Sequence, residues 1–307
     1  MSGSSGSESL GKTQQLKRMT PEELAALTAK AQHPAPASPL AGLIPAVSPN
    51  PTPEFSIITC SPPQNEHKFK QMSAIYAQAL AGEAYEIIRI SDAKGIAEGY
   101  NRGVAQARGG IIVFSHDDAA PLRPLATRLR THLRTVDIVG GAGSDRLDGP
   151  AWFTGGPPHV FGQVLNQVPA GPNQPPLLLS IYGVPSALVE KVQAIDGFWM
   201  ATTLAAARGL PFDEETCDGF HCYDIDWSFR AYLAGLNVGV ACDLSLMHAS
   251  SGGYGDPKWK PAADKFLAKF KGQIADHKPL GFQFAAVHGA DINMMLSVME
   301  DLVERTR

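Results

Sequence analysis

The stretch Gly110-Ile111-Ile112-Val113-Phe114-Ser115-His116-Asp117-Asp118 constrains the fold of this 307-residue chain more than any other. Four apolar residues run together and then give way to a histidine and two adjacent carboxylates. An unbroken apolar run of this kind predicts a strand buried on both faces, as in a parallel sheet covered by helices. Ionisable side chains at the carboxyl end of such a strand fall where open α/β sheets bind ligands. Two carboxylates there suit a hard divalent cation completed by phosphate oxygens. An acidic turn is the simpler alternative, and the flanking sequence decides between them.

Upstream, Phe55-Ser56-Ile57-Ile58-Thr59-Cys60 reads as a strand ended by Ser61-Pro62-Pro63, and Phe69 to Leu80 as a helix with Met72, Ile75, Tyr76 and Leu80 on one side. Tyr85 to Ile90 is a second strand closing on Ser91-Asp92. Gly95 to Arg108 is a second helix, stopped by Gly109-Gly110. Strand, helix, strand, helix, strand is the order of one nucleotide-binding half of a doubly wound fold. Right-handed crossovers would set the three strand ends on one rim. Thr59, Cys60, Asp92, His116, Asp117 and Asp118 are then expected to line a single crevice.

Composition narrows the function classes. With 44% hydrophobic residues and a net charge of −4, the chain can bury a full core and carries no basic field for nucleic acid. It has neither an apolar run of membrane-spanning length nor an export signal. Cys60, Cys217, Cys222 and Cys242 lack paired spacing, which fits a reduced protein, in the cytoplasm or at the inner face of a membrane. Cys217, His221 and Cys222 lie close together but lack the second ligand pair of a zinc site.

Residues 1–53 are expected to stand apart from the folded part. They hold a Ser/Gly run, a short helix capped by Thr20 with Pro21 and Glu23 in its first turn, and seven prolines between Pro34 and Pro53. The folded domain is placed at 54–307, with a nucleotide-binding half at 54–120, a second half at 121–260 and terminal helices at 261–307.

In that second half, Leu125 to Leu133 reads as a helix and Asp137 to Gly141 as a short strand. The Gly/Pro-rich segment from Pro150 to Pro176 reads as irregular. Gln193 to Met200 is a strand carrying the Asp196-Gly197 turn. Ile225, Phe229, Leu233 and Leu236 follow helical spacing after Gly219-Phe220-His221-Cys222-Tyr223-Asp224-Ile225-Asp226, so Asp224 and Asp226 fall in a first turn, where the helix dipole favours carboxylates. Val238, Val240, Cys242, Leu244 and Leu246 alternate as one strand, and His248 opens a Gly/Ser loop placed to close over a ligand.

These residues resemble the family 2-like glycosyltransferases of the GT-A fold, from about Phe55 to Trp259. The resemblance implies a Rossmann-like α/β domain with a mixed, mainly parallel sheet flanked by helices. It also implies a nucleoside diphosphate sugar donor, a UDP-sugar first of all, and a cofactor of Mn²⁺ or Mg²⁺ held by a D-x-D-like motif. Here His116 replaces the first aspartate of that motif and Asp118 keeps the metal-binding place. By the same resemblance Asp92 would meet uracil or ribose, Tyr100 and Asn101 would belong to the nucleotide pocket, and His248 would complete the metal shell. The run Tyr223-Asp224-Ile225-Asp226-Trp227-Ser228-Phe229-Arg230 resembles the family's E-D-x-D-x-S-x-R segment, with Tyr223 in place of its glutamate. That makes Asp224 the catalytic base and leaves Asp226 and Arg230 structural. Trp152, Asp196 and Gly197 are acceptor-side candidates.

The expectation is an inverting, metal-dependent transfer of a hexosyl group to a hydroxyl of a glycan or other acceptor. A sugar nucleotidyltransferase shares the sheet, but would carry a Gly-rich basic loop after its first strand, where this chain has Ser61-Pro62-Pro63-Gln64-Asn65. A non-catalytic nucleotide- or glycan-binding protein is the alternative from another class.

Overall fold

A computed structural model describes residues 52–169, 171, 174–250, 256–274 and 283–306. The expected helix at Thr20, the Pro-rich linker and most of the Gly/Ser loop after His248 lie outside the described residues.

The first three strands, β1 (Phe55–Cys60), β2 (Tyr85–Ile90) and β3 (Ile111–Ser115), are joined by helices Glu66–Ala79 and Ile96–Gln106. Phe55, Ile57 and Val113 pack with Met72 and Tyr76 of the first helix. Ile58, Ile112 and Phe114 pack with Tyr100 and Val104 of the second. The alternation of inward residues along β1 and β3 thus places the two helices on opposite faces. After β3 the chain forms β4 (Ala119–Pro121), helix Ala126–His132, β5 (Ile138–Gly140) and β6 (Ala142–Ser144). It continues through β7 (Val160–Gln167), β8 (Leu177–Tyr182), β9 (Ala194–Ile195), β10 (Trp199–Thr203), helices Leu204–Gly209 and Tyr223–Leu233, β11 (Val238–Val240) and β12 (Leu246–His248). Helix Trp259–Lys269, β13 (Ala285–Gly289) and helix Ile292–Glu304 complete it.

The main sheet has the order β11-β5-β10-β3-β1-β2. Every pairing in it is parallel except those of β10, which runs against both neighbours. This is the mixed, mainly parallel sheet expected from the sequence. Because β1, β2 and β3 are parallel, their carboxyl ends share one rim.

A second sheet, β13-β8-β7-β12-β4 with β6 and β9 beside it, is mostly antiparallel and was not legible in the sequence. Leu165, Leu179 and Ile181 of this sheet pack on Met295, Leu296 and Met299 of the last helix. Its pairing of β12 with β4 sets His248 opposite Ala119, and the Ala249 N–H donates to the Asp118 carbonyl at 2.9 Å. The second sheet therefore carries His248 to the end of β3.

Four expected elements differ. The strand expected over Gln193 to Met200 breaks at Asp196-Gly197 into β9 and β10, which lie in different sheets. The helix expected from Phe69 starts at Glu66, after a 3₁₀ turn at Pro63–Asn65. The segment read as irregular contains β7, a full strand through the second sheet. The alternating run from Val238 to Leu246 is not one strand: Cys242–Leu244 form a 3₁₀ turn and Ser245 takes a φ of 49°, so β11 and β12 enter different sheets.

Candidate active site

At the end of β3 the chain turns through His116, Asp117 and Asp118. The ligand atoms of His116, Asp118 and His248 lie within 4.8 Å of one another, the one group of three or more metal-capable side chains among the described residues. His248 Nε2 is 3.4 Å from Asp118 Oδ1, and the Lys68 ammonium is 3.1 Å from Asp118 Oδ2. Burial alone would raise the Asp118 carboxyl. The hydrogen bonds from His248 and Lys68 outweigh it and hold the group well below the usual carboxylate range. Burial, aided by neighbouring His248, pushes His116 down to about 4, which keeps its imidazole neutral. A neutral imidazole and an ionised carboxylate are the ligand forms that bind metal. The donor set fits a divalent cation, and two imidazoles favour a transition metal over Mg²⁺. Asp117 is turned aside: its Oδ2 accepts from Asn65 Nδ2 at 2.9 Å.

Facing this cluster is the first turn of helix Tyr223–Leu233. Asp224 Oδ2 accepts from the Gly197 N–H at 2.8 Å. Asp196 accepts from Trp152 Nε1 at 2.7 Å and from the Phe198 N–H at 3.0 Å. Burial, reinforced by the charge of Asp196, pushes Asp224 up to about 7. Asp226, one helical step away, has the opposite surroundings. It is fully buried, bonded to Arg230 Nε at 2.7 Å and paired with Lys269. Asp226 is thus held between two basic side chains, whereas Asp224 lines a cavity with its proton affinity raised. A cavity of about 260 Å³ is lined by His116 and His248 on one side and by Asp196 and Asp224 on another, with Trp152 and Tyr182 in its wall.

The residues assigned to a nucleotide pocket are placed less uniformly. Thr59 is fully buried and its hydroxyl has no hydrogen-bond partner. Cys60 is half-buried, and burial pushes its thiol up to about 12. Asp92 is exposed on the rim and paired with Arg102 at 2.8 Å. Tyr100 does not reach a crevice: its ring is buried 4.8 Å from Phe114 and 5.4 Å from Phe212. Asn101 is likewise engaged internally. Its amide donates to the Phe212 carbonyl and accepts from the Phe212 N–H, both at 2.9 Å, which ties the helix to the loop before Asp213. Trp152, an acceptor-side candidate, is nearly buried, packs edge-on against Tyr182 at 4.9 Å, and donates to Asp196. Gly197 is required by contact: a Cβ there would lie 2.4 Å from Tyr223 Oη and 2.7 Å from Asp224 Cβ.

Three participants escaped the sequence reading. Asn65 ends the 3₁₀ turn before the first helix and Lys68 lies in that helix's first turn, and neither gave a motif signal. Tyr223 was noticed only as the residue standing where a glutamate was expected, yet its hydroxyl is 2.6 Å from His116 Nε2. Cys217 and Cys222 are buried and burial raises both thiols, while His221 turns to Asp256 at 3.3 Å, so they form no ligand cluster. No helix among the described residues is long and apolar enough to cross a membrane.

A search of curated protein sequences finds no match. Among solved structures, the chain is similar to residues 1–349 of S. aureus TarS in complex with UDP-GlcNAc, at 10% identity and a TM-score of 0.40, over 73% of this chain and 68% of that one. A protein-family model described as "Glycosyltransferase like family" matches residues 56–258, a span that runs from β1 through β12 and includes His116, Asp118, Asp224 and His248. On that match the chain belongs to the glycosyltransferase-like family and is a glycosyltransferase.

Proposed function

We propose that the chain transfers a sugar from a nucleoside diphosphate donor to an acceptor hydroxyl with inversion at the anomeric carbon. The observation that carries this reading is the shared cavity, which has two members of the His116–Asp118–His248 cluster on one side and Asp224 on another, in a chain of this family. The donor diphosphate lies against the cluster, and the base and ribose lie along the rim formed by Cys60, Asp92 and Asp117. Thr59, Tyr100 and Asn101 act beneath that rim as its supports. In this arrangement residues 54–120 present the donor, residues 121–260 supply the base, and the last helix braces the second sheet.

Asp224, with a proton affinity near neutrality, accepts the proton of the acceptor hydroxyl as that oxygen attacks the anomeric carbon. Attack comes from the face opposite the departing nucleoside diphosphate, so the new bond has inverted configuration. The Gly197 N–H fixes the orientation of the carboxylate, and Asp196, held by Trp152, keeps its proton affinity high. A divalent cation held by His116, Asp118 and His248 would offset the charge developing on the leaving diphosphate. Trp152, Asp196 and Gly197 shape the acceptor side of the cavity.

A donor screen tests the reading. UDP-linked hexoses are incubated with the protein and Mn²⁺ across a panel of glycoside and alcohol acceptors, and release of nucleoside diphosphate is followed. Acceptor-dependent release is expected from at least one pair. Donor binding without acceptor-dependent release across the panel would count against transfer to a hydroxyl acceptor.

A further inference from the structure

Two substitutions in this chain, His116 at the end of β3 and Tyr223 at the start of a helix more than a hundred residues later, meet in space. The Tyr223 hydroxyl is 2.6 Å from His116 Nε2 and 3.1 Å from the Gly197 carbonyl oxygen. A phenol has one proton, so only one arrangement satisfies both contacts. If the hydroxyl donates to the Gly197 carbonyl, its oxygen is free to accept from a protonated Nε2. The reverse arrangement gives the tyrosine proton to Nε2, leaves two oxygens 3.1 Å apart with no proton between them, and puts the imidazole proton on Nδ1.

We propose that Tyr223 is a positioning residue that fixes His116 as the Nε2–H tautomer, so that Nδ1 carries the lone pair offered to a cation. This rests on the reading of His116, Asp118 and His248 as a metal centre. The partner of the second ring nitrogen sets which nitrogen of a histidine is free to ligate. Here that partner is a buried phenol rather than a carboxylate. The Gly197 backbone bonds both sides of the site: its carbonyl accepts from Tyr223, and its N–H donates to Asp224. The backbone N–H of His116 also donates to the Phe198 carbonyl at 2.9 Å, which fixes the β3 end against this turn. The ligand histidine and the carboxylate opposite it are therefore both registered to the backbone of one residue, Gly197, which ties the cation site to Asp224.

The tautomer is read directly from the metal-free protein by ¹⁵N chemical shifts of ¹⁵N-histidine-labelled full chain, with the His116 signals assigned by their loss in His116→Asn. The expected result is a protonated Nε2 and an unprotonated Nδ1 in the parent, and a shift towards a mixture of tautomers in Tyr223→Phe. That variant keeps the aromatic ring against Tyr100 and Phe212, so its melting temperature serves as the control for a purely structural role. Its Mn²⁺ affinity by calorimetry is expected to fall by about 10–100-fold, the loss usual for removing the hydrogen-bond partner of a ligand histidine. A parent protein with His116 protonated on Nδ1 would overturn the proposal, whatever Tyr223→Phe does. So would a Tyr223→Phe variant with unchanged tautomer and unchanged Mn²⁺ affinity. A parent that binds no Mn²⁺ while holding the Nε2–H tautomer would overturn the metal-presenting role. None of these outcomes bears on whether sugar transfer occurs, which the donor screen decides separately.

Discussion

The Gly197 N–H donates to Asp224 Oδ2 at 2.8 Å across the turn between β9 and β10, and no side chain fits between them. The close approach allows a backbone amide, rather than a mobile side chain, to orient the proposed base.

Replacing Gly197 by alanine is therefore expected to damage both stability and turnover. The added Cβ would lie 2.4 Å from Tyr223 Oη and 2.7 Å from Asp224 Cβ, and neither group can retreat within a buried helix start. Overpacking of this kind costs about 1–3 kcal/mol. Urea unfolding and steady-state assays of Gly197→Ala check it; unchanged values in both would show that the turn is looser than this contact implies.

A second expectation concerns pH. Asp224 is raised from an ordinary aspartate value of 3.8 to about 7. Transfer should rise with pH as this proton is lost, with its midpoint close to neutrality. Stability should move the other way. Between these two values the folded chain keeps a proton that the unfolded chain has released, so this group's contribution to stability falls as pH rises through that window. Asp224→Asn removes the titration, and its melting temperature should gain on that of the parent steadily from pH 4 to pH 7. A difference independent of pH would contradict the raised proton affinity.

Metal preference is the third. Two imidazoles and one carboxylate are a donor set that suits Mn²⁺ better than Mg²⁺. Calorimetry should give tighter binding of Mn²⁺, loss of binding in Asp118→Ala, and metal-dependent affinity for UDP. Equal UDP affinity in the presence of a chelator would remove the cation from the account.

Much of the donor-side half was legible because its strands are unbroken apolar runs set between Gly, Pro and Asp, as in Phe55 to Cys60 and Ile111 to Ser115. The second sheet was not, for physical reasons visible in β7. That strand buries Gln163 and Asn166, whose amides satisfy backbone carbonyls: Gln163 reaches the distant Cys242 and Met299 carbonyls, and Asn166 those of Val164 and Leu178 within the sheet. Buried amides with distant partners disguise an interior strand as a polar loop. Similarly, the alternation from Val238 to Leu246 gave no sign that Ser245 would take a left-handed conformation and send the chain into another sheet. At the site, single residues at strand ends could be named, but the contact between His116 and Tyr223 depends on a tertiary meeting that no spacing records.

In the proposed mechanism Asp224 is the base, while Asp226, a second aspartate two residues on, is an anchor. The most direct test compares Asp224→Asn and Asp226→Asn in one transfer assay, with the melting temperature and UDP affinity of each measured alongside. Asp224→Asn should lower turnover by about 10²–10⁴-fold while folding and metal-dependent UDP binding persist. Asp226→Asn should leave Arg230 without its carboxylate partner and Lys269 with Asp213 alone, lower the melting temperature, and retain activity per folded molecule. An inactive but fully stable Asp226→Asn beside an active Asp224→Asn would contradict the account.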